Sequence, residues 1–103
     1  MNIAANTITI QVERGADGTL QVLPEDATAQ VGETIQWNFP EQVELGIVFP
    51  AGSPVGRKEI WATGGQLSVT VPEGVAPGRY KYDLKIRVGN TTCVVDPWII
   101  IRA

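Results

Sequence analysis

The chain has 103 residues, of which 44% are hydrophobic and 18% are charged, and its formal net charge at pH 7 is −3. These values are typical of one globular domain and exclude a disordered chain. No apolar run approaches the roughly 20 residues that a membrane helix needs, and the mild negative charge gives no reason to expect nucleic acid or an anionic membrane as a partner. We therefore predict a single domain over residues 1–103.

Alternating apolar and polar residues, the pattern of half-buried strands, recur along the first half of the chain. In chain order they predict strands at 7–12, 20–23, 27–31, 34–39 and 45–49. In the fourth of these strands, Ile35, Trp37 and Phe39 are expected to point inward. The fifth is almost continuously apolar, which is consistent with burial on both of its faces.

The second half of the chain repeats this pattern after a loop over residues 51–57. It predicts strands at 59–62, 67–71 and 79–88, and a closing segment at 94–101 that ends in the apolar run 98–101. The strand 79–88 is the clearest, because Tyr80, Tyr82, Leu84, Ile86 and Val88 share one face. Seven to nine short strands with turn signals between them, and no helical periodicity, predict an all-β, two-sheet Greek-key β-sandwich.

The cysteine content and the N-terminal residues bear on the cellular compartment. Cys93 is the only cysteine, so it cannot form an internal disulfide, and its neighbours Val94 and Val95 predict a buried, unreactive thiol. Residues 1–6 have neither the basic nor the apolar region of a signal peptide. We expect a cytoplasmic domain encoded in a bacterial context, with the mature form of an exported protein as the alternative.

Three stretches of the chain follow known strand motifs in order. Val31–Asn38 resembles the pattern V-x-x-G-[DE]-T-V-x-W-x-N, Leu45–Phe49 resembles H-N-[IV]-V-F without its first two residues, and Pro77–Leu84 is similar to P-G-x-Y-x-[FY]-x-C with leucine in place of the cysteine. In this order and spacing they resemble the cupredoxins, over about residues 31–101. The resemblance implies a cupredoxin-like sandwich. An immunoglobulin-like sandwich is the alternative, although the chain has no Cys–Trp–Cys arrangement.

The same resemblance locates the positions at which cupredoxins bind copper. It places Leu45 at the first histidine ligand, Leu84 at the cysteine ligand and Arg87 near the second histidine, with no methionine in the axial region around 92–94. A type-1 copper site needs two histidine nitrogens and a cysteine thiolate. The chain contains no histidine at all, so a site of this type cannot be built from it. We predict no metal and no cofactor.

The absence of histidine also bears on catalysis, because it excludes the Ser–His and Cys–His pairs that activate nucleophiles. The neighbouring carboxylates Glu25 and Asp26, and Glu41 with Glu44, are interpreted as solvated residues, since acid–base catalysis needs two carboxyls that face each other across a cleft. We therefore predict no catalytic residues and a protein that is not an enzyme.

A basic strip lies on the outer face of the predicted strand 79–88. It consists of Arg79, Lys81, Lys85 and Arg87, interrupted by Asp83, and holds four of the chain's eight basic residues. Two interpretations are open: a solvated face paired with carboxylates on neighbouring strands, or a docking surface for an acidic partner or another domain. Nucleic-acid binding is disfavoured, because no aromatic residues interleave on that strand face.

Two tryptophans are further candidates for partner binding. Trp98 starts a run in which both faces are apolar, so the run is either buried on both sides or exposes one apolar row. Trp61 lies between Gly56 and Gly64, where an exposed tryptophan would suit an interface.

Together these features predict a non-catalytic, copper-free cupredoxin-like module that acts in protein–protein interaction or as an accessory domain of a larger system. A structural or oligomerisation domain and a small-ligand binding protein are the alternatives. We expect the partner to be another protein or domain, of acidic character if the basic strip binds it. The chain itself is expected to be a monomer or a weak homo-oligomer.

Overall fold

The computed structural model describes residues 7–15, 19–88, 91–95 and 97–102, with only the backbone for 88 and 91–95. Within these ranges the chain forms eleven strands and no helix, so none of its described elements is a helix that could cross a membrane. The strands are β1 (Thr7–Arg14), β2 (Leu20–Leu23), β3 (Asp26–Ala29), β4 (Thr34–Asn38), β5 (Glu44–Val48), β6 (Glu59–Ala62), β7 (Gln66–Thr70), β8 (Gly78–Lys81), β9 (Asp83–Val88), β10 (Thr91–Val95) and β11 (Trp98–Ile101).

The first sheet contains four strands in the order β2-β1-β4-β7. β1 and β4 run parallel, with Ile10 opposite Trp37, and the other two pairs are antiparallel. Because side chains alternate along each strand, this register sends the apolar residues of β1 and β4 to the same side of the sheet.

The other strands form two hydrogen-bonded groups, which we call together the second sheet because the chain passes directly from β8 of one group into β9 of the other. Their orders are β10-β9-β5-β6 and β3-β11-β8. Only Tyr82 separates β8 from β9, and its backbone N–H donates to the carbonyl of Pro97 at 3.2 Å. The prediction of one unbroken strand over 79–88 is therefore wrong at Tyr82, although the inward row of side chains is preserved across the break. This interruption is one reason why the strands outnumber the predicted seven to nine.

The core lies between the two sheets and follows the predicted alternation. Ile35, Trp37 and Phe39 are buried from the first sheet, and Tyr82, Leu84 and Ile86 are buried from the second. The strand predicted over 27–31 ends earlier, at Ala29. Val31 is 42% exposed, because it lies in the turn where the N–H of Gly32 donates to the carbonyl of Val71. The described strands therefore confirm the all-β sandwich.

A second tyrosine fixes the entry of the chain into β8. The hydroxyl of Tyr80 donates to the carbonyl of Ala76 at 2.6 Å, four residues upstream. This contact has the form of the tyrosine corner found in Greek-key sandwiches, in which a tyrosine hydroxyl ties a strand to the connection before it. The contact orients β8 and therefore the outer face that β8 shares with β9.

Candidate interaction face

Two of the residues that the sequence resemblance places at copper-ligand positions are packed leucines. Leu45 on β5 and Leu84 on β9 are both fully buried. The strands are adjacent and antiparallel, with Leu45 opposite Ile86 and Leu84 opposite Ile47. The two leucines therefore lie diagonally across one strand pair on the inner face, where they fill core volume and provide no donor atom.

The third position lies on the opposite side of the same sheet. Arg87 follows Leu84 by three residues, and this odd spacing sends its side chain outward. Its guanidinium Nη1 lies 3.3 Å from Oε1 of Glu44, on the outer face of β5. The fold therefore separates Arg87 from the two leucines, and the donor set does not fit copper.

Other metal ligands are also not gathered in the part of the chain that the structure describes. No group of three His, Cys, Asp or Glu side chains comes together there. Cys93 lies on β10, but its side chain is outside the described residues, so the buried and unreactive thiol stays a prediction.

The four residues of the basic strip do share the outer face of the second sheet. Arg79 and Lys81 on β8, and Lys85 and Arg87 on β9, alternate with inward-pointing residues on either side of the break at Tyr82. Over the eight steps along the chain from Arg79 to Arg87 a strand extends about 26 Å, so the strip follows the length of the sheet.

Trp98 lies beside the first half of the strip. The register places it directly opposite Lys81 and next to Asp26 of β3. The guanidinium carbon of Arg79 lies 4.7 Å from the centroid of the indole, and Nζ of Lys81 lies 5.9 Å from it. Nη2 of Arg79 also lies 3.5 Å from Oδ2 of Asp26.

Trp98 is half-buried, while Ile99 and Ile101 are buried, so the run 98–101 presents one half-covered row outward.

Trp61 lies beside the second half of the strip, on β6. It is opposite Gly46, and a Cβ built at that glycine would lie 2.5 Å from Cδ2 of the indole. The guanidinium carbon of Arg87 lies 4.5 Å from the centroid of the ring, and the indole N–H donates to Glu59 at 2.5 Å. Because Gly46 and Arg87 cover its ring, Trp61 is half-buried in the sheet surface.

The outer face is therefore electrically balanced among the described residues. The four cations of the strip share it with four carboxylates that the strand alternation also sends outward: Asp26, Glu44, Glu59 and Asp83. Each exposed ion pair contributes only about 0–1 kcal/mol, and an arginine over an indole about 0.5–1 kcal/mol. These contacts mainly hold the two guanidinium groups in fixed positions.

The positions of Trp61 and Trp98 beside the strip were not predicted from the patterns of the separate strands. The outward row of 79–87 itself carries no aromatic residue, but Trp61 and Trp98 reach the same sheet face from neighbouring strands. The signal for Trp61 was Gly46, a lone glycine within an apolar strand, which marks a place where another group approaches the backbone closely. The expectation for nucleic acid is unchanged, since the arginines cover the indoles and the face carries no excess of positive charge.

The arrangement of the two sheets is that of a cupredoxin-like β-sandwich, as the sequence motifs implied. No family model matches the chain, and no curated protein matches it. Solved cupredoxins do match it at 16–20% sequence identity, a level at which the likeness establishes the fold alone.

Three of these structures illustrate the likeness. A pseudoazurin from Sinorhizobium meliloti has 20% identity and a TM-score of 0.57, and the match covers 97% of this chain and 76% of that one. A reduced Cu(I) form of an amicyanin variant has 18% identity and a TM-score of 0.55, covering 97% of this chain and 86% of that one. A purple cupredoxin from Nitrosopumilus maritimus has 18% identity and a TM-score of 0.54, covering 92% of this chain and 99% of that one.

Proposed function

We propose that this chain is a copper-free, non-catalytic cupredoxin-like module that binds another protein or domain through the outer face of its second sheet. The observation that carries the proposal is the pair of arginine–tryptophan contacts on that face, Arg79 with Trp98 and Arg87 with Trp61. Tryptophan and arginine are the residues most enriched among those that dominate binding energy at protein interfaces.

The fixed positions of the two arginines favour binding. Each guanidinium is held by an indole on one side and a carboxylate at one edge, so less side-chain freedom is lost when a partner docks. A guanidinium has five donors, and one carboxylate leaves several of them available. The face thus offers two preorganised donor groups about 26 Å apart along the strip.

The charge pattern of the face suggests the character of the partner surface. A row of cations along β8 and β9 is bordered by Asp26 on one side and by Glu44 and Glu59 on the other. A partner with carboxylates opposite the strip and cations at its borders would complement this pattern. Such complementarity contributes chiefly to specificity and to the rate of association.

The positive charge of the four strip positions can be cancelled at the two lysines, while both arginines and both tryptophans are retained. The variant Lys81→Glu with Lys85→Glu changes the charge by −4, and a matched control, Arg57→Glu with Arg102→Glu, makes the same change at exposed positions away from the face. We expect proteins retained from native lysate by the wild type and the control to be lost from the face variant, with little change in Tm. Equal retention by all three proteins would contradict the proposal.

Self-association and copper binding are tested separately. If light scattering shows an oligomer that the face variant dissociates, the partner is a second copy of the chain. Addition of Cu(II) should produce no intense blue absorption, because a type-1 centre requires imidazole ligands that the chain lacks. A strong blue band would overturn the copper-free part of the proposal.

A further inference from the structure

The connection between β5 and β6 differs in charge from the outer face. This hairpin loop, residues 50–58, is closed where the N–H of Phe49 donates to the carbonyl of Lys58 at 2.8 Å. It contains Arg57 and Lys58 and no carboxylate, in a chain whose net charge is −3. Neither cation has an ion pair among the described residues, whereas Arg79 and Arg87 of the strip each have one.

A shallow cavity of about 440 Å³ lies on one side of the hairpin loop. It is lined by Phe49, Pro50, Gly52, Ser53, Gly56 and Lys58. Arg57 lines a different groove, with residues of β7, so Lys58 is the cation of this cavity. The buried ring of Phe49 and the ring of Pro50 supply apolar contact, and the remaining lining is polar or backbone.

Hydrogen-bond donors of the hairpin loop are largely unused within the described chain. The backbone N–H groups of Gly52, Ser53 and Lys58 donate to no backbone carbonyl there, whereas residues 54 and 55 form a turn that engages the N–H of Gly56. The hydroxyl oxygen of Ser53 accepts from the N–H of Val55 at 3.0 Å, which leaves its own hydrogen available to donate. At Gly56, with φ of 77°, the backbone takes a conformation that side-chain-bearing residues rarely adopt.

We propose that this cavity binds a phosphate-type anion, either a free phosphate monoester or a phosphorylated side chain of a partner. The Lys58 ammonium group supplies the charge, and the Ser53 hydroxyl with the free loop amides supplies neutral donors. Clusters of backbone N–H groups beside a lysine are suited to phosphate oxygens, because charge-assisted hydrogen bonds are the strongest of this kind. The cavity is separate from the outer face, so the two proposals stand independently.

The test is a titration of the ¹⁵N-labelled chain with inorganic phosphate and, separately, with O-phosphoserine at constant ionic strength. We expect saturable shifts at the amides of residues 52, 53 and 58. Lys58→Gln should weaken binding about tenfold, the scale of one hydrogen bond to a charged group. Lys85→Gln, which removes the same charge from the outer face, should leave it unchanged.

The outcomes separate specific binding from general charge effects. Shifts that do not saturate, or an equal loss in both variants, would overturn the proposal, because either result indicates only a diffuse attraction between anion and protein. If O-phosphoserine binds more tightly than inorganic phosphate, the natural ligand is a phosphorylated side chain. Equal affinities identify the phosphate group itself as the recognised unit and favour a free phosphate compound.

Discussion

The indole N–H of Trp37 donates a hydrogen bond of 2.9 Å to the hydroxyl oxygen of Tyr82, and both side chains are fully buried. Trp37 belongs to the first sheet and Tyr82 to the second, so this bond joins the two layers through the centre of the core. The rings meet edge to face, with centroids 5.5 Å apart. Tyr82 is also the single residue between β8 and β9. The residue that interrupts the outer strand therefore also makes the contact between the two layers.

Replacement of Tyr82 by phenylalanine should show how much this hydrogen bond stabilises the fold. Tyr82→Phe keeps the ring but leaves the Trp37 N–H buried without an acceptor, and we expect the free energy of unfolding to fall by about 1–3 kcal/mol in urea denaturation. Tyr80→Phe is the matched control. It removes the bond to Ala76, whose carbonyl can be solvated, so its cost should be about 1 kcal/mol or less. A larger loss in the control would contradict the central role of Tyr82.

The stability of the fold should also depend on the ionisation of Tyr82. Burial raises the pKa of Tyr82 well above its ordinary value of about 10, although the hydrogen bond from Trp37 opposes part of this change. The unfolded chain therefore releases the phenol proton at a lower pH than the folded chain does. The stabilisation that comes from the neutral, buried phenol of Tyr82 is complete below about pH 10. It is lost as the pH rises from there through the pKa of Tyr82 in the folded chain.

This pH dependence can be isolated by comparison with Tyr82→Phe. We expect the difference in unfolding free energy between wild type and variant to shrink by about 1.4 kcal/mol at about one pH unit above the ordinary tyrosine pKa. Every other group is the same in the two proteins, so its contribution cancels in the difference. Denaturation between about pH 8 and pH 11 measures it, and a constant difference would show that Tyr82 ionises normally.

Gly46 should be intolerant of a side chain as long as Trp61 is present. A Cβ at this position would lie 2.5–2.6 Å from three ring carbons, so Gly46→Ala must displace the indole and separate it from Arg87. We expect a loss of about 1–3 kcal/mol in unfolding free energy, which is typical of overpacking.

A double-mutant cycle tests whether Trp61 is the cause. In the background of Trp61→Ala, Gly46→Ala should be neutral or stabilising by about 0.5–1 kcal/mol, because glycine within a strand is less favourable than alanine. If the loss of unfolding free energy in the double variant equals the sum of the losses in the two single variants, a contact other than Trp61 restricts this position.

Leu84, which the sequence resemblance places at the cupredoxin cysteine, should contribute as an ordinary core residue. Leu84→Ala removes buried methyl groups and leaves a cavity, so we expect the unfolding free energy to fall by about 2–5 kcal/mol. Leu23→Ala makes the same chemical change at a residue that is 50% exposed, and its effect should remain within about 0.5 kcal/mol. Thermal or urea denaturation compares them, and equal costs would show that Leu84 is not packed in the core.

The alternation of apolar residues along the sequence by itself determined much of this protein. Ile35, Trp37 and Phe39, like Leu84 and Ile86, are buried as their spacing predicts, because a strand has a period of two and one face must leave water. The incompatibility with a type-1 copper site is likewise a property of composition, since no folding of a chain without histidine can supply imidazole ligands.

Tertiary structure decided which residues share a surface. Trp61 and Trp98 are 37 positions apart in the sequence, and only strand pairing places one over Gly46 beside Arg87 and the other beside Lys81. The interruption at Tyr82 was likewise hidden, because the alternation continues through it. Periodicity reports which side of a strand a residue occupies, whereas the neighbours across a sheet depend on register and strand order, which are set by contacts distant in sequence.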